Sequence, residues 1–305
     1  MTNVRRTCKP APSHPLSAQR EPDRLIACQP LHRPHPSPPR PAGRRAGYAT
    51  AMSSLVAALR TVVLVPLFFV LTLGIAAWIT IAGSIRHDPP SSDRVIQFWA
   101  RRFIGIPPVT VELAGIEDID PDQQYVVVSN HLSNFDIPVL FTSLPLTLRF
   151  LAKQELMKIP LVGHAMKVVG IVMIDRSAGI SAHQAINEGV ARARDRGFSL
   201  VVFAEGTRSR TGEMADFKKG GFRIAIDAAM PVLPVVVAGT FEANPPGAWL
   251  IRPAAAKVRV LSPIDTNGMT IKDDAVRLMK TVREDMLAVY EELRTDDGRS
   301  ERAQS

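Results

Sequence analysis

The chain has 305 residues, enough for one large domain with extensions or for two small domains. Its formal charge of +8 is concentrated at one end. Residues 1–51 hold nine basic and two acidic residues, which leaves the rest near +1 and argues against a basic groove for nucleic acid. Both cysteines, Cys8 and Cys28, lie in that same end. The rest of the chain therefore has no disulfide framework, no thiolate metal site and no acyl-cysteine chemistry.

Residues 1–51 also carry ten prolines and almost no apolar periodicity. Such a segment cannot bury enough surface to offset its ordering entropy and reads as a disordered tail. A targeting peptide is the alternative, but an apolar core is missing. Met52-Ser53-Ser54 before an apolar run reads equally well as the natural start. Thr61–Ile85 then runs 25 residues without a charge. As a helix it would span about 37 Å at ~1.5 Å per residue, against a hydrocarbon layer of roughly 30 Å. Membrane insertion is expected, and Pro66 and Gly74 allow a bend. Val95–Phe103 sets Phe98 and Trp99 beside Arg101 and Arg102, which suits an interfacial helix. Residues 52–104 thus form the membrane part.

A soluble domain follows over residues 105–293. Strands are expected at Val109–Leu113, Tyr125–Ser129, Val168–Ile174, Ser199–Phe203, Val232–Ala238 and Lys257–Leu261. Helical patterns lie between them. One covers Ala182–Arg196, with Ser181 and Gln184 as a capping box and Gly197 as the stop. Others cover Lys219–Ala229 and Ala275–Leu293. Alternating strands and helices mean an α/β fold. Residues 294–305 are polar and read as a frayed tail.

The residues able to do chemistry sit where strands end, the usual place for reactive loops in α/β proteins. After Tyr125–Ser129 comes Asn130-His131-Leu132-Ser133-Asn134-Phe135-Asp136. A carboxylate near an imidazole can take its Nδ1 proton and leave Nε2 free to accept one from a hydroxyl. The same residues also permit a plainer arrangement, with Asp136 or Asn134 capping a helix and His131 filling a turn. After Ser199–Phe203 comes Ala204-Glu205-Gly206-Thr207-Arg208. It combines a carboxylate, a glycine that lets backbone approach a ligand, a hydroxyl and a guanidinium that matches phosphate. A solvated surface loop has the same composition. The strand ending in Asp175-Arg176 supplies a third cationic end. His87, His164 and His183 are isolated and lack metal-ligand spacing.

In this order, NHxxxxD, a strand ending in Arg176, FAEGTRS and Val232-Leu233-Pro234-Val235 resemble the glycerolipid acyltransferase family, most of all its bacterial members that acylate 1-acylglycerol-3-phosphate. The similarity runs from about Val109 to Leu261 and includes Phe217-Lys218-Lys219-Gly220 and Ile159–Gly163. It implies a mixed sheet flanked by helices, preceded by a membrane-embedded helix. It implies His131 as catalytic base and Asp136 as its partner. It also implies substrate binding by Asn130, Arg176, Glu205, Gly206, Thr207 and Arg208, with Pro234 shaping the acyl-donor side.

The expected reaction moves an acyl chain from acyl-CoA or acyl carrier protein to the sn-2 hydroxyl of 1-acylglycerol-3-phosphate, giving phosphatidic acid in phospholipid biosynthesis. No cofactor and no metal are expected, and a backbone N–H near Gly206 is the expected oxyanion donor. A lyso-aminolipid or lyso-glycolipid acceptor would keep His131 and Asp136 but need Arg176 less, and a silent lipid-binding membrane protein would need neither. The expected location is the inner membrane, with the catalytic domain facing the cytoplasm. Charge bias places the N-terminus there too. A single crossing cannot satisfy both, so the apolar helix is expected to enter and return, or to lie in one leaflet.

Overall fold

The computed structural model describes residues 45–85, 92–174 and 180–304. The elements are α1 (Arg45–Ile85), α2 (Ser92–Ile104), β1 (Val109–Ala114), β2 (Val126–Ser129), α3 (Asp136–Ser143), β3 (Leu148–Lys153), α4 (Val162–Val168), β4 (Val172–Ile174), α5 (Ile180–Asp195), β5 (Ser199–Phe203), α6 (Gly220–Asp227), β6 (Val232–Ala238), α7 (Thr240–Ala243), β7 (Ala254–Val260) and α8 (Ala275–Gln304). The seven strands form one sheet in the order β1-β7-β6-β2-β5-β3-β4. Every neighbouring pair is parallel except β6–β7. The sheet is therefore mixed, and β2, β3, β4, β5 and β6 all end on one edge.

Period-two alternation sends each strand's side chains to two separate cores. Val126 and Val128 join Leu200, Val202 and Val232 under α5, α6 and α8, where Phe222, Val282 and Met286 close the layer. Val127, Val201, Leu233 and Val235 face the other way, onto Val139 and Leu140 of α3 and Ala100 of α2. The central strand β2 is buried on both faces, which is why it reads as an unbroken apolar run.

Helix α1 is long and apolar enough to cross a membrane over Leu55–Gly83. Most of its large side chains, Leu59, Val62, Leu67, Phe69 and Val70 among them, are exposed, so it is not a core helix. One narrow stripe nevertheless touches the domain along its length. Thr61 Oγ1 accepts the Ile251 N–H at 3.2 Å and Thr72 Oγ1 accepts the Trp99 indole N–H at 3.0 Å. Further along, Ala76 and Ile79 pack with Ala165 and Val169.

Several expectations change. The helix α1 begins at Arg45, ahead of the boundary expected at Met52. The run Val168–Ile174 is not one strand: α4 ends at Val168 and Gly170 turns with φ +89°, leaving β4 only Val172–Ile174. Strand β3 was not foreseen. Helix α5 starts at Ile180, which puts Ser181 inside the helix rather than at its cap. Helix α8 continues through the expected polar tail to Gln304.

Candidate active site

Because β2 lies between β5 and β6 in parallel, three strand ends deliver their loops to one place. Asn130 comes first. It is fully buried, its amide donates to the Val237 carbonyl at 2.8 Å, and it accepts the Val237 N–H at 2.8 Å. Asn130 thus ties the end of β2 to β6 and fixes where His131 begins.

His131 Nδ1 lies 2.7 Å from Asp136 Oδ2. The same oxygen accepts the N–H groups of Leu132 at 2.6 Å and Ser133 at 2.9 Å, and Oδ1 accepts the Thr240 hydroxyl. Asp136 is fully buried. An acceptor met by that many donors leaves Nδ1 only the donor role, so the neutral imidazole keeps Nε2 as its basic nitrogen. The ring stacks on Phe203, with centroids 3.9 Å apart and planes 14° apart, which fixes its rotation. The helix-cap alternative fails, because Phe135 is the N-cap residue of α3 and no side chain caps it.

The second loop is locked to the first. Glu205 is 3% exposed; its carboxylate accepts the His131 N–H at 2.8 Å and the Ala215 N–H at 3.0 Å. In return the Ser209 N–H donates to the His131 carbonyl at 2.8 Å. Glu205 is thus a buried strut between the two motifs. Burial pushes its carboxyl above the ordinary value of 4.5, opposed by the His131 and Ala215 N–H bonds. Gly206 turns with φ +75°, where a side chain would be strained and would press on the Lys218 ammonium. Its own N–H donates to the Phe203 carbonyl at 3.0 Å.

Gly206, Thr207, Arg208 and His131 line one cleft of about 1140 Å³, together with apolar Ile137, Phe150 and Leu156. Pro234 is not among its walls. It lies in buried β6 opposite Val128, and its carbonyl accepts the Leu261 N–H at 3.0 Å. Asp175 and Arg176 fall outside the described residues. Thr240 is the residue that sequence reasoning missed. The signal was present: Gly239-Thr240 follows a strand end on the same sheet edge. Gly239 has φ +80°, and a Cβ there would come within 1.9 Å of the Ala255 carbonyl oxygen. Among the described residues no cluster of His, Cys, Asp and Glu could hold a metal.

This arrangement sets an imidazole against a buried carboxylate, beside a cationic loop, in a cleft with apolar walls. Residues 110–238 match the family model described as Acyltransferase. The mouse 1-acyl-sn-glycerol-3-phosphate acyltransferase alpha is 34% identical over 204 residues, covering 67% of this chain and 70% of that protein. The Saccharomyces cerevisiae 1-acyl-sn-glycerol-3-phosphate acyltransferase is 33% identical, covering 60% of each. The crystal structure of the 1-acyl-sn-glycerophosphate acyltransferase PlsC from Thermotoga maritima superposes with a TM-score of 0.65 at 28% identity, covering 80% of this chain and 97% of that one. The chain belongs to the glycerolipid acyltransferase family and is an acyltransferase.

Proposed function

We propose that the protein transfers an acyl group from a thioester, acyl-CoA or acyl carrier protein, to the sn-2 hydroxyl of 1-acylglycerol-3-phosphate, giving phosphatidic acid. The observation that carries this reading is the His131–Asp136 pair opening onto the same cleft as Arg208. Relatives named for this reaction support it. His131 Nε2 takes the proton of the acceptor hydroxyl as its oxygen attacks the thioester carbonyl. Asp136 stabilises the imidazolium. General-base help of this kind contributes about 10²–10⁴-fold, and positioning two bound substrates on the order of 7–11 kcal/mol. The oxyanion meets the N–H groups of Thr207 and Arg208, which follow Gly206 and donate to no protein acceptor among the described residues. The thiolate then departs and takes up the proton. No cofactor enters the scheme. Arg208 and Thr207 hold the acceptor's phosphate, with Arg176 as a further cation.

The protein works in the inner membrane with its catalytic domain toward the cytoplasm. Contacts from Thr61 to Ile79 and beyond keep α1 alongside the domain for roughly 30 Å at ~1.5 Å per residue. A helix held like that would drag the domain into the bilayer if it crossed upright, so lying within one leaflet fits better.

An acceptor screen tests the substrate. Purified protein with labelled acyl-CoA and a panel of lyso-lipids, resolved by mass spectrometry, should give phosphatidate as the main product. A lyso-aminolipid or lyso-glycolipid consumed in preference would overturn the assignment.

A further inference from the structure

Residues 244–251, between α7 and β7, carry no charge. Within this loop Trp249 is 68% exposed, more than any other large apolar side chain outside α1 among the described residues. Its indole N–H meets no acceptor among them. Folding usually covers a tryptophan, so an apolar ring left in the open asks for something outside the domain.

The loop is not slack. Buried Asn244 donates its amide to the Ala248 carbonyl at 2.9 Å and the Leu250 carbonyl at 3.3 Å. The Ala248 N–H bonds back to the Pro245 carbonyl at 3.0 Å, and the Arg252 N–H to the Ala243 carbonyl at 2.9 Å. These backbone groups are satisfied without water, as a surrounding of low polarity demands. A built scaffold therefore holds Trp249 out.

Two attachments say what covers it. At one end the Ile251 N–H donates to Thr61 Oγ1 at 3.2 Å, and Thr61 lies within the apolar span Leu55–Gly83 of α1. Leu59, Val62 and Val63 beside Thr61 are exposed. The lipid that receives α1 at this point therefore lies next to the loop. At the other end the Ser133 hydroxyl donates to the Asn244 carbonyl at 2.8 Å, and Pro246 lines the same cleft as His131. The loop thus runs from the apolar helix to the wall of the cleft. A tryptophan with a free N–H suits the headgroup level, where the ring meets acyl chains and the N–H meets oxygen.

Resting on the reading of lipid acyl transfer above, we propose that residues 244–251 form a second membrane contact. Trp249 sits among the headgroups of a lipid bilayer, and Pro246 marks the lip over which the lyso-lipid enters the cleft. Helix α1 holds the chain to the membrane. The loop sets the mouth of the cleft against it, so the acceptor reaches His131 without leaving the lipid phase.

The test uses the full chain, with Cys8 and Cys28 replaced, in nanodiscs of phosphatidylethanolamine and phosphatidylglycerol. A nitroxide is attached at Trp249→Cys and, as a reference, at Glu284→Cys, an exposed site on α8, which packs in the other core. Power saturation measures collision with oxygen, which is apolar, and with a polar nickel chelate. The label at position 249 should meet oxygen more than the chelate, and the label at 284 the reverse. Equal chelate access at the two positions would overturn the proposal. So would a label at 249 shielded from both colliders, the mark of a protein surface in place of lipid. Trp249→Glu should raise the KM for an oleoyl 1-acylglycerol-3-phosphate in nanodiscs by about tenfold, the low end for returning an aromatic side chain to water. The KM for a hexanoyl acceptor, which arrives through water, should stay the same. An equal rise for both acceptors would overturn the entry route. Because the label is read without turnover, the membrane contact can stand while the acceptor assignment fails, or the reverse.

Discussion

At the scale of single residues, the machinery divides into groups that face the cleft and groups that hold them. His131, Thr207 and Arg208 face it, while Asn130, Asp136, Glu205 and Thr240 stand behind. Thr240 secures the second oxygen of Asp136. Thr240→Val removes that donor and leaves a buried carboxylate oxygen unmet, which costs about 1–3 kcal/mol. A lowered kcat with an unchanged acceptor KM is the expected result. Glu205 gives a pH signature. Its carboxyl is raised above 4.5 by burial, so the unfolded chain ionises first as pH rises. The stability of wild type relative to Glu205→Gln should therefore be greatest below pH 4.5 and fall as pH climbs through the window just above it. Denaturation of both proteins across pH 4–7 measures this, and a gap that widens with pH would contradict it. The roles of these residues were only half legible in the sequence. A motif names which residues belong together, but a buried strut and a ligand contact look the same in a string. The partners that bury Asn130 and Glu205, Val237 and Ala215, are backbone groups that no side-chain pattern reveals.

At the scale of elements, strands buried on both faces were the easiest to find. β2, β5 and β6 are continuous apolar runs that fit no amphipathic helix. β3 escaped because Arg149 interrupts its apolar pattern. That arginine is 1% exposed, pairs with Asp93 of α2 at 2.7 Å and lies over the Phe198 ring at 4.0 Å. A charge that reads as surface is neutralised from another element, and that partner is remote in sequence. The error at Val168–Ile174 has a local origin. Val168 and Val169 look like strand residues, yet they end α4, and Gly170 makes the turn. α8 outran its apolar stripe because its polar last turns satisfy their own backbone without a core. It also steadies the site from behind, where Tyr290 donates to the Gly212 carbonyl in the loop after Arg208. Burial holds that phenol above its ordinary value, so it remains a donor.

At the scale of the whole molecule, the apolar helix α1 packs along the domain that carries the cleft. With long-chain substrates as proposed, a site kept at the bilayer avoids drawing those chains through water. With Cys8 and Cys28 replaced, single cysteines at Ser53 and Thr295 report topology. Both should resist an impermeant thiol reagent in intact cells and react after lysis. Labelling of the Ser53 site alone would mean that α1 crosses the membrane. The central claim is that His131, set by Asp136, is the base for acyl transfer to a lyso-phospholipid. The direct test is phosphatidate formation from labelled acyl-CoA and 1-acylglycerol-3-phosphate by wild type, His131→Ala and Asp136→Asn, each first shown to be folded and membrane-bound. His131→Ala should form no product, and Asp136→Asn should lose about 10⁴-fold through the wrong tautomer. Turnover near wild type in folded His131→Ala would contradict the account.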